Sequence, residues 1–223
     1  MATRADKHSA VEHLDGAMAR ASIDGQRGVA LRELRFLAHV DLRVDARDAR
    51  TADRIGAALG SPLPTRPNTT AAGEPWSSIW LGPDEWLVVG PEDDELLIER
   101  ALRAALADAH GSVVDVSANR TTLELRGPTA REVLAKGCAL DLHPRRFRAG
   151  ACAQTALARA QVVLRQLDDE PLYWILVRRS FAPYLVEWLI DAMAEYRVNH
   201  PEIVDRRGAR AAPAASSRSA RGR

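Results

Sequence analysis

The sequence is short of the residues that would tie the protein to a membrane, a metal or an oxidising compartment. Its two cysteines, Cys138 and Cys152, are too few for the paired ligands of a structural zinc site and are typical of reduced thiols in the cytosol. Residues 1–22 lack the apolar core of a signal peptide, and no stretch approaches the ~20 apolar residues that span a bilayer. We therefore expect a cytoplasmic protein without a membrane segment.

Strong charge and cofactor motifs are also missing. A net charge of +1 gives the chain no general attraction to nucleic acid or to a membrane surface. The fourteen glycines form neither a dinucleotide fingerprint nor a P-loop, and the six histidines do not cluster. The residues therefore predict no catalytic, cofactor-binding or metal-binding site in this chain.

What the sequence does contain is an order of elements that occurs twice. The alternation of Val40, Leu42 and Val44 is typical of a half-buried strand, and the glycines at 60 and 137 are typical helix ends. The order is strand, helix, loop, strand, strand, helix in each half. Strands are predicted at residues 37–44, 77–81, 85–89, 113–126, 155–167 and 172–177, and helices before Gly60, over 93–109, before Gly137 and over 181–196.

This order predicts the fold class and the division of the chain. We expect an α+β protein with duplicated βαββα units, mostly antiparallel sheets and helices on one face. The units are predicted at residues 29–111 and 112–200. Residues 1–28 are expected to form a polar, loosely docked N-terminal arm, and residues 201–223 a disordered basic tail.

Several polar residues allow two interpretations. Asp141 and His143 could form a catalytic dyad, but a turn with local side-chain hydrogen bonds is favoured. The polar break at Ser117–Arg120 is more typical of a tight turn than of a site. His39 is expected to be packed within its strand, and the five tryptophans are expected to serve packing rather than to form a stacking platform.

Three segments together resemble a known family. They are WLGPDEWL at residues 80–87, DVS at 115–117 followed by LELRGP at 123–128, and DLHP at 141–144 with Phe147. They resemble the gamma subunit of heterotetrameric sarcosine oxidase, and the layout is similar, more distantly, to the folate-binding aminomethyltransferase of the glycine cleavage system. The resemblance covers residues 29–196.

The resemblance implies a subunit of an oxidoreductase complex. Its partners would be the alpha, beta and delta subunits, with FAD, FMN, NAD and tetrahydrofolate bound by the partners. The complex would convert sarcosine to glycine, with formaldehyde or methylene-tetrahydrofolate and hydrogen peroxide as the other products. The aminomethyltransferases carry a catalytic Asp where this chain has Ala158, Arg159 and Ala160, so this chain is expected to be a non-catalytic scaffold.

Two alternatives stay open at this point. The chain could be a stand-alone folate-binding protein of the aminomethyltransferase type, which would need a carboxylate near Ala158. It could also be a general protein-binding module that acts through its basic tail, residues 201–223.

Overall fold

The computed structural model describes residues 7–197, which form ten strands and five α-helices. The strands are β1 (Ala30–Leu34), β2 (Leu37–Val44), β3 (Thr70–Ala72), β4 (Ser77–Gly82), β5 (Glu85–Glu92), β6 (Gly111–Asp115), β7 (Arg120–Arg126), β8 (Cys152–Leu157), β9 (Ala160–Asp168) and β10 (Leu172–Arg178). The helices are α1 (Asp15–Ala21), α2 (Ala49–Leu59), α3 (Glu95–Leu106), α4 (Ala130–Ala135) and α5 (Ala182–Met193).

The strands form two antiparallel sheets, stacked as the middle layers of a four-layer molecule. The first sheet has the order β1-β7-β10-β9-β8 and the second the order β3-β4-β5-β2-β6. One hydrophobic core lies between the first sheet and α1, α4 and α5, and another lies between the second sheet and α2 and α3. A third, smaller core lies between the sheets. The predicted α+β fold, with helices on one face of each sheet, is confirmed. None of the described helices combines the length and apolar composition needed to cross a bilayer.

The sheets exchange strands between the two halves of the chain. Strand β1, from the beginning of the chain, pairs with β7, and β6 pairs with β2. The predicted division between residues 111 and 112 therefore falls inside β6. The two sheets do not correspond to the two predicted units, although the order of elements along the chain does repeat.

Two predicted elements follow directly from local chemistry. Strand β2 has the predicted limits, and its alternate residues Val40, Leu42 and Val44 are buried. Helix α2 ends at Gly60, which adopts a left-handed conformation with φ of 70°. A Cβ atom at this position would lie 2.7 Å from the carbonyl oxygen of Glu74, so glycine is needed both for the backbone angle and for the close approach.

The N-terminal segment is docked more tightly than the sequence suggests. Val11 and Met18 are 0% and 2% exposed and belong to the core of the first sheet. The Oγ of Ser9 donates to Glu33 Oε2 at 2.5 Å, and Lys7 Nζ lies 2.7 Å from Asp93 Oδ1. The expectation of a loosely docked arm was therefore wrong for the described part, because a few apolar side chains anchor it. The predicted disordered tail lies outside the described residues.

One predicted strand is in fact a hairpin. Residues 155–167 contain the end of β8, a turn at Ala158 and Arg159, and most of β9. Ala158 has a φ of 52°, and its amide donates to the carbonyl of Gly137 at 2.9 Å. A contact from a distant part of the chain thus holds a turn that has no glycine, asparagine or aspartate to mark it.

Candidate functional site

A row of polar side chains crosses the face of the first sheet that is turned toward the second sheet. Direct cross-strand partners share one face, and the register places Arg32 beside Glu124, Glu124 beside Trp174, Trp174 beside Arg165, and Arg165 beside Cys152. Arg32 Nε lies 2.7 Å from Glu124 Oε1. This row brings a carboxylate, two guanidinium groups, an indole and a thiol to one face of the sheet.

Arg165 connects the two sheets. Its Nη1 donates to Ser77 Oγ at 2.9 Å, and its Cζ lies 5.3 Å from the ring centroid of Trp174. The Arg165 Nε is buried and has no hydrogen-bond partner among the described residues. Burial lowers the pKa of this guanidinium. The cation is stabilised by an aromatic face and a hydroxyl rather than by a carboxylate, which is an arrangement for packing and orientation.

The thiol of Cys152 is buried and stays protonated. Its Sγ donates to the carbonyl oxygens of Thr69 at 3.3 Å and Trp80 at 3.6 Å. Burial raises the pKa of the thiol to about 11. Because the thiolate is the nucleophile, Cys152 is a small buried residue at neutral pH rather than a reactive group.

His39 lies on β2 of the second sheet and contacts the first sheet. Its Nε2 lies 3.3 Å from Thr122 Oγ1 on β7, and the side chain is 1% exposed. Burial, with a further contribution from Arg120, lowers the pKa of His39 to about 4. A neutral, enclosed imidazole of this kind holds two strands together. The expectation of a packed histidine is confirmed.

A cleft with a different character lies where the two sheets meet at β3 and β8. We call it the arginine cleft, defined by Arg66, Arg146 and Arg148, and its volume is about 500 Å³. Asp141 is the single carboxylate residue among those lining it, and the buried side chain of Phe147 is also part of the lining. The cleft is open to solvent, so it can contact a partner without any change in the fold.

The sequence as a whole matches one known family. A model of the sarcosine oxidase, gamma subunit family matches residues 43–195. The match covers well over half of the 223 residues. The chain belongs to this family. The resemblance seen in the sequence segments is thereby confirmed.

Curated members of the gamma subunit family match over most of their length. Sarcosine oxidase gamma subunits from Corynebacterium sp. strain P-1 and from Arthrobacter sp. are each 43% identical over 191 residues, which covers 85% of this chain and 91% of each relative. The likeness is therefore not confined to one motif.

Solved structures agree with the family and with the fold. A chain of the heterotetrameric sarcosine oxidase from Corynebacterium sp. U-96, solved with pyrrole 2-carboxylate, superposes with a TM-score of 0.79 at 38% identity and covers 86% of this chain and 97% of that chain. The glycine cleavage system aminomethyltransferase T from Bartonella henselae superposes with a TM-score of 0.55 at 13% identity, covering 73% of this chain and 45% of that chain. The second likeness shows a shared fold alone.

The hairpin between β8 and β9 is the place where the aminomethyltransferase resemblance would put a catalytic carboxylate. In this member of the gamma subunit family, residues 158–160 are Ala, Arg and Ala, and Arg159 is exposed. Within residues 7–197 there is also no group of three or more His, Cys, Asp or Glu side chains that could hold a metal ion. The turn at residues 158–160 thus carries no carboxylate.

The polar loops singled out in the sequence are turns. Asp141 Oδ1 accepts from the amide of His143 at 3.0 Å, and His143 Nδ1 accepts from the amide of Arg145 at 3.2 Å. These two side chains are committed to local backbone groups, so the turn interpretation is confirmed. Ser117 Oγ accepts from the amide of His39 at 2.9 Å and thereby fixes β2 to the turn after β6.

The arginine cleft is the feature that the sequence interpretation missed. Its walls come from two loops that the sequence separates by about 80 residues, so no local pattern connects them. The one available signal was the run Arg145-Arg146-Phe147-Arg148, in which a lone aromatic interrupts three cations. Such a run predicts an anchored loop that displays positive charge.

Proposed function

We propose that this chain is a non-catalytic scaffold subunit of a heterotetrameric sarcosine oxidase, assembled with alpha, beta and delta subunits in the cytoplasm. The observation that carries the proposal is the match to gamma subunits over 85% of this chain and 91% of the relatives. The likeness to a chain of a heterotetrameric sarcosine oxidase, at a TM-score of 0.79, supports an assembled rather than a solitary protein.

We infer that the redox chemistry belongs to the partner subunits. These would bind FAD, FMN, NAD and tetrahydrofolate and convert sarcosine to glycine, with formaldehyde or methylene-tetrahydrofolate and hydrogen peroxide as further products. Three features of this chain support a non-catalytic role. The hairpin at Ala158 lacks a carboxylate, Cys152 is a protonated buried thiol, and His39 is enclosed between the sheets. The burial of Cys152 and His39 supports a role in which this chain exchanges no proton with a substrate.

Co-expression tests the proposal. The alpha, beta and delta subunits would be produced with and without this chain, with an affinity tag on the alpha subunit. We expect this chain to co-purify in stoichiometric amount with a flavin-containing complex, and the complex without it to have a lower thermal midpoint. A chain that remains separate from the flavoprotein subunits would contradict the proposal.

A titration separates the proposal from a solitary folate enzyme. The full-length chain alone would be mixed with tetrahydrofolate and followed by calorimetry. We expect no saturable binding at micromolar concentrations, because the described fold offers no carboxylate at the position that the folate chemistry would need. Micromolar binding together with methylene transfer by the lone chain would favour the aminomethyltransferase-like alternative.

A further inference from the structure

The arginine cleft contains more positive charge than the chain itself compensates. Arg66, Arg146 and Arg148 are exposed, and none of their side chains has a hydrogen bond or an ion pair within residues 7–197. Asp141, the one acidic residue of the lining, has an oxygen engaged by the amide of His143. Among the other exposed arginines, five have carboxylate partners within 4 Å, and these are Arg32, Arg35, Arg43, Arg47 and Arg103. Arg20, Arg50 and Arg100 have none within residues 7–197, but each lies on a helix of its own rather than beside other unpaired arginines in one cleft.

The loop that carries Arg146 and Arg148 is anchored to the core through Phe147. Phe147 lies between them in sequence, is 6% exposed and stacks on Tyr173 with ring centroids 6.5 Å apart. The amide of Phe147 donates to the carbonyl of His143 at 2.9 Å. A buried aromatic anchor therefore fixes the backbone of the two flanking arginines, which lowers the entropy cost of engaging them.

The opposite wall of the cleft is attached to the same frame. The carbonyl of Asn68 accepts from the amide of Cys152 at 3.0 Å, and the amide of Thr70 donates to the carbonyl of Gly150 at 2.9 Å. Thr69 Oγ1 also donates to the carbonyl of Arg66 at 2.6 Å. These bonds join the loop of Arg66 to the start of β8, so the backbones that carry all three cations are held in a fixed arrangement.

We propose that the arginine cleft docks an acidic surface segment of a partner subunit of the complex. This inference rests on the proposed function, because it assigns an interface to the same assembly. Guanidinium groups bind carboxylates with two parallel hydrogen bonds, and arginine is enriched at protein interfaces. A segment with several Asp or Glu residues supplies the charge that the cleft lacks.

The geometry favours a protein segment over a small anion. The three arginines line an open cleft of about 500 Å³ and are exposed, whereas a site for a single phosphate or carboxylate ion directs its donors to one enclosed point. Nucleic acid is disfavoured because the net charge of the whole chain is only +1.

The experiment compares three full-length variants for binding to the complex of the other subunits. The test variant is Arg66→Gln/Arg146→Gln/Arg148→Gln, and the charge-preserving variant has lysine at the same positions. The control is Arg20→Gln/Arg50→Gln/Arg100→Gln, which removes the same charge from exposed arginines on α1, α2 and α3. Binding is measured by biolayer interferometry at several salt concentrations, and circular dichroism checks that each variant is folded.

We expect the glutamine variant of the cleft to bind roughly tenfold more weakly at physiological salt, since three exposed charge pairs are lost. Its binding should also depend less on salt. The lysine variant should recover only part of the affinity, because it keeps the charge but loses the paired hydrogen bonds of the guanidinium groups. The control should bind like the wild type.

Other outcomes would overturn the inference. If the cleft variant and the control bound with equal affinity and equal salt dependence, the arginine cleft would not be an interface of the complex. If inorganic phosphate raised the thermal midpoint of the wild type and not of the cleft variant, while subunit binding stayed equal, the cleft would be a small-anion site. A wild-type chain that bound no partner subunits would instead refute the proposed function itself.

Discussion

Replacing His39 by glutamine removes a titrating group that lies between the two sheets. In the folded chain, the pKa of His39 is lowered from 6.5 to about 4, first because burial disfavours the imidazolium and then because Arg120 is close; Asp115 opposes the shift. In the unfolded chain, the histidine regains its ordinary pKa. Glutamine keeps a group that can hydrogen-bond to Thr122 but cannot be protonated in this range.

The sign of the pH dependence follows from the two pKa values. Above pH 6.5, the histidine is neutral in both states and contributes no pH dependence. Between pH 6.5 and pH 4, the unfolded chain binds a proton that the folded chain does not, so the wild type loses stability as the pH falls. The shift from 6.5 to about 4 corresponds to about 3 kcal/mol once the pH is below both values, and to about 2 kcal/mol between pH 7 and pH 5.

Urea denaturation of the full-length chain, followed by tryptophan fluorescence, measures this effect. The free energy of unfolding of the wild type minus that of His39→Gln should fall by about 2 kcal/mol from pH 7 to pH 5. Because both proteins have the same carboxylates, the contribution of these groups to the pH dependence cancels in this difference. The control is Leu96→Ala, which removes no titrating group from a position that is 59% exposed, so its difference from the wild type should stay constant with pH. Parallel stability curves for the wild type and His39→Gln would show that the imidazole is not kept neutral.

Three further changes probe the contacts between and around the sheets. Leu176→Ala, in the core between the sheets at 0% exposure, should cost about 2–5 kcal/mol in urea denaturation, whereas Leu96→Ala, 59% exposed on α3, should cost less than about 0.5 kcal/mol. Gly137→Ala would place a Cβ 2.5 Å from Trp188 Cζ2, so it should lower the thermal midpoint, and adding Trp188→Leu should restore part of the loss; an additive double variant would contradict the clash. Cys152, 1% exposed with a pKa of about 11, should resist iodoacetamide at pH 7.5 until denaturant is added, and rapid modification of the native chain, located by mass spectrometry, would contradict its burial.

The sequence predicted elements well where one local pattern decides them. Strand β2 has the predicted limits because alternate apolar residues leave a strand only one way to face the core. Helix α2 ends at the predicted glycine because that residue meets both a left-handed backbone and a nearby carbonyl. At such positions, the local sequence is enough to determine the element.

The prediction failed where a tertiary contact decides the structure. The turn at Ala158 depends on a hydrogen bond to Gly137 rather than on a turn residue, so residues 155–167 resembled one strand. The docking of the N-terminal arm depends on Val11 and Met18, which are few among polar neighbours. In the same way, the arginine cleft exists only because residues 66–70 and 140–153 are joined across the fold.

The exchange of β1 and β6 joins the two halves of the chain in both sheets. Strand β1 lies at the edge of a sheet that otherwise contains later strands, and β6 lies at the edge of the sheet of the earlier ones. Each sheet is therefore completed by a strand from the other half of the chain. The polar side chains between the sheets then reinforce this coupling: His39 contacts Thr122, and Arg165 contacts Ser77. A histidine and an arginine that could have served chemistry are thus used to fix the two sheets to each other. The loops of the arginine cleft therefore extend from two sheets that are joined by side-chain contacts as well as by packing, which is the kind of support that the proposed docking surface needs.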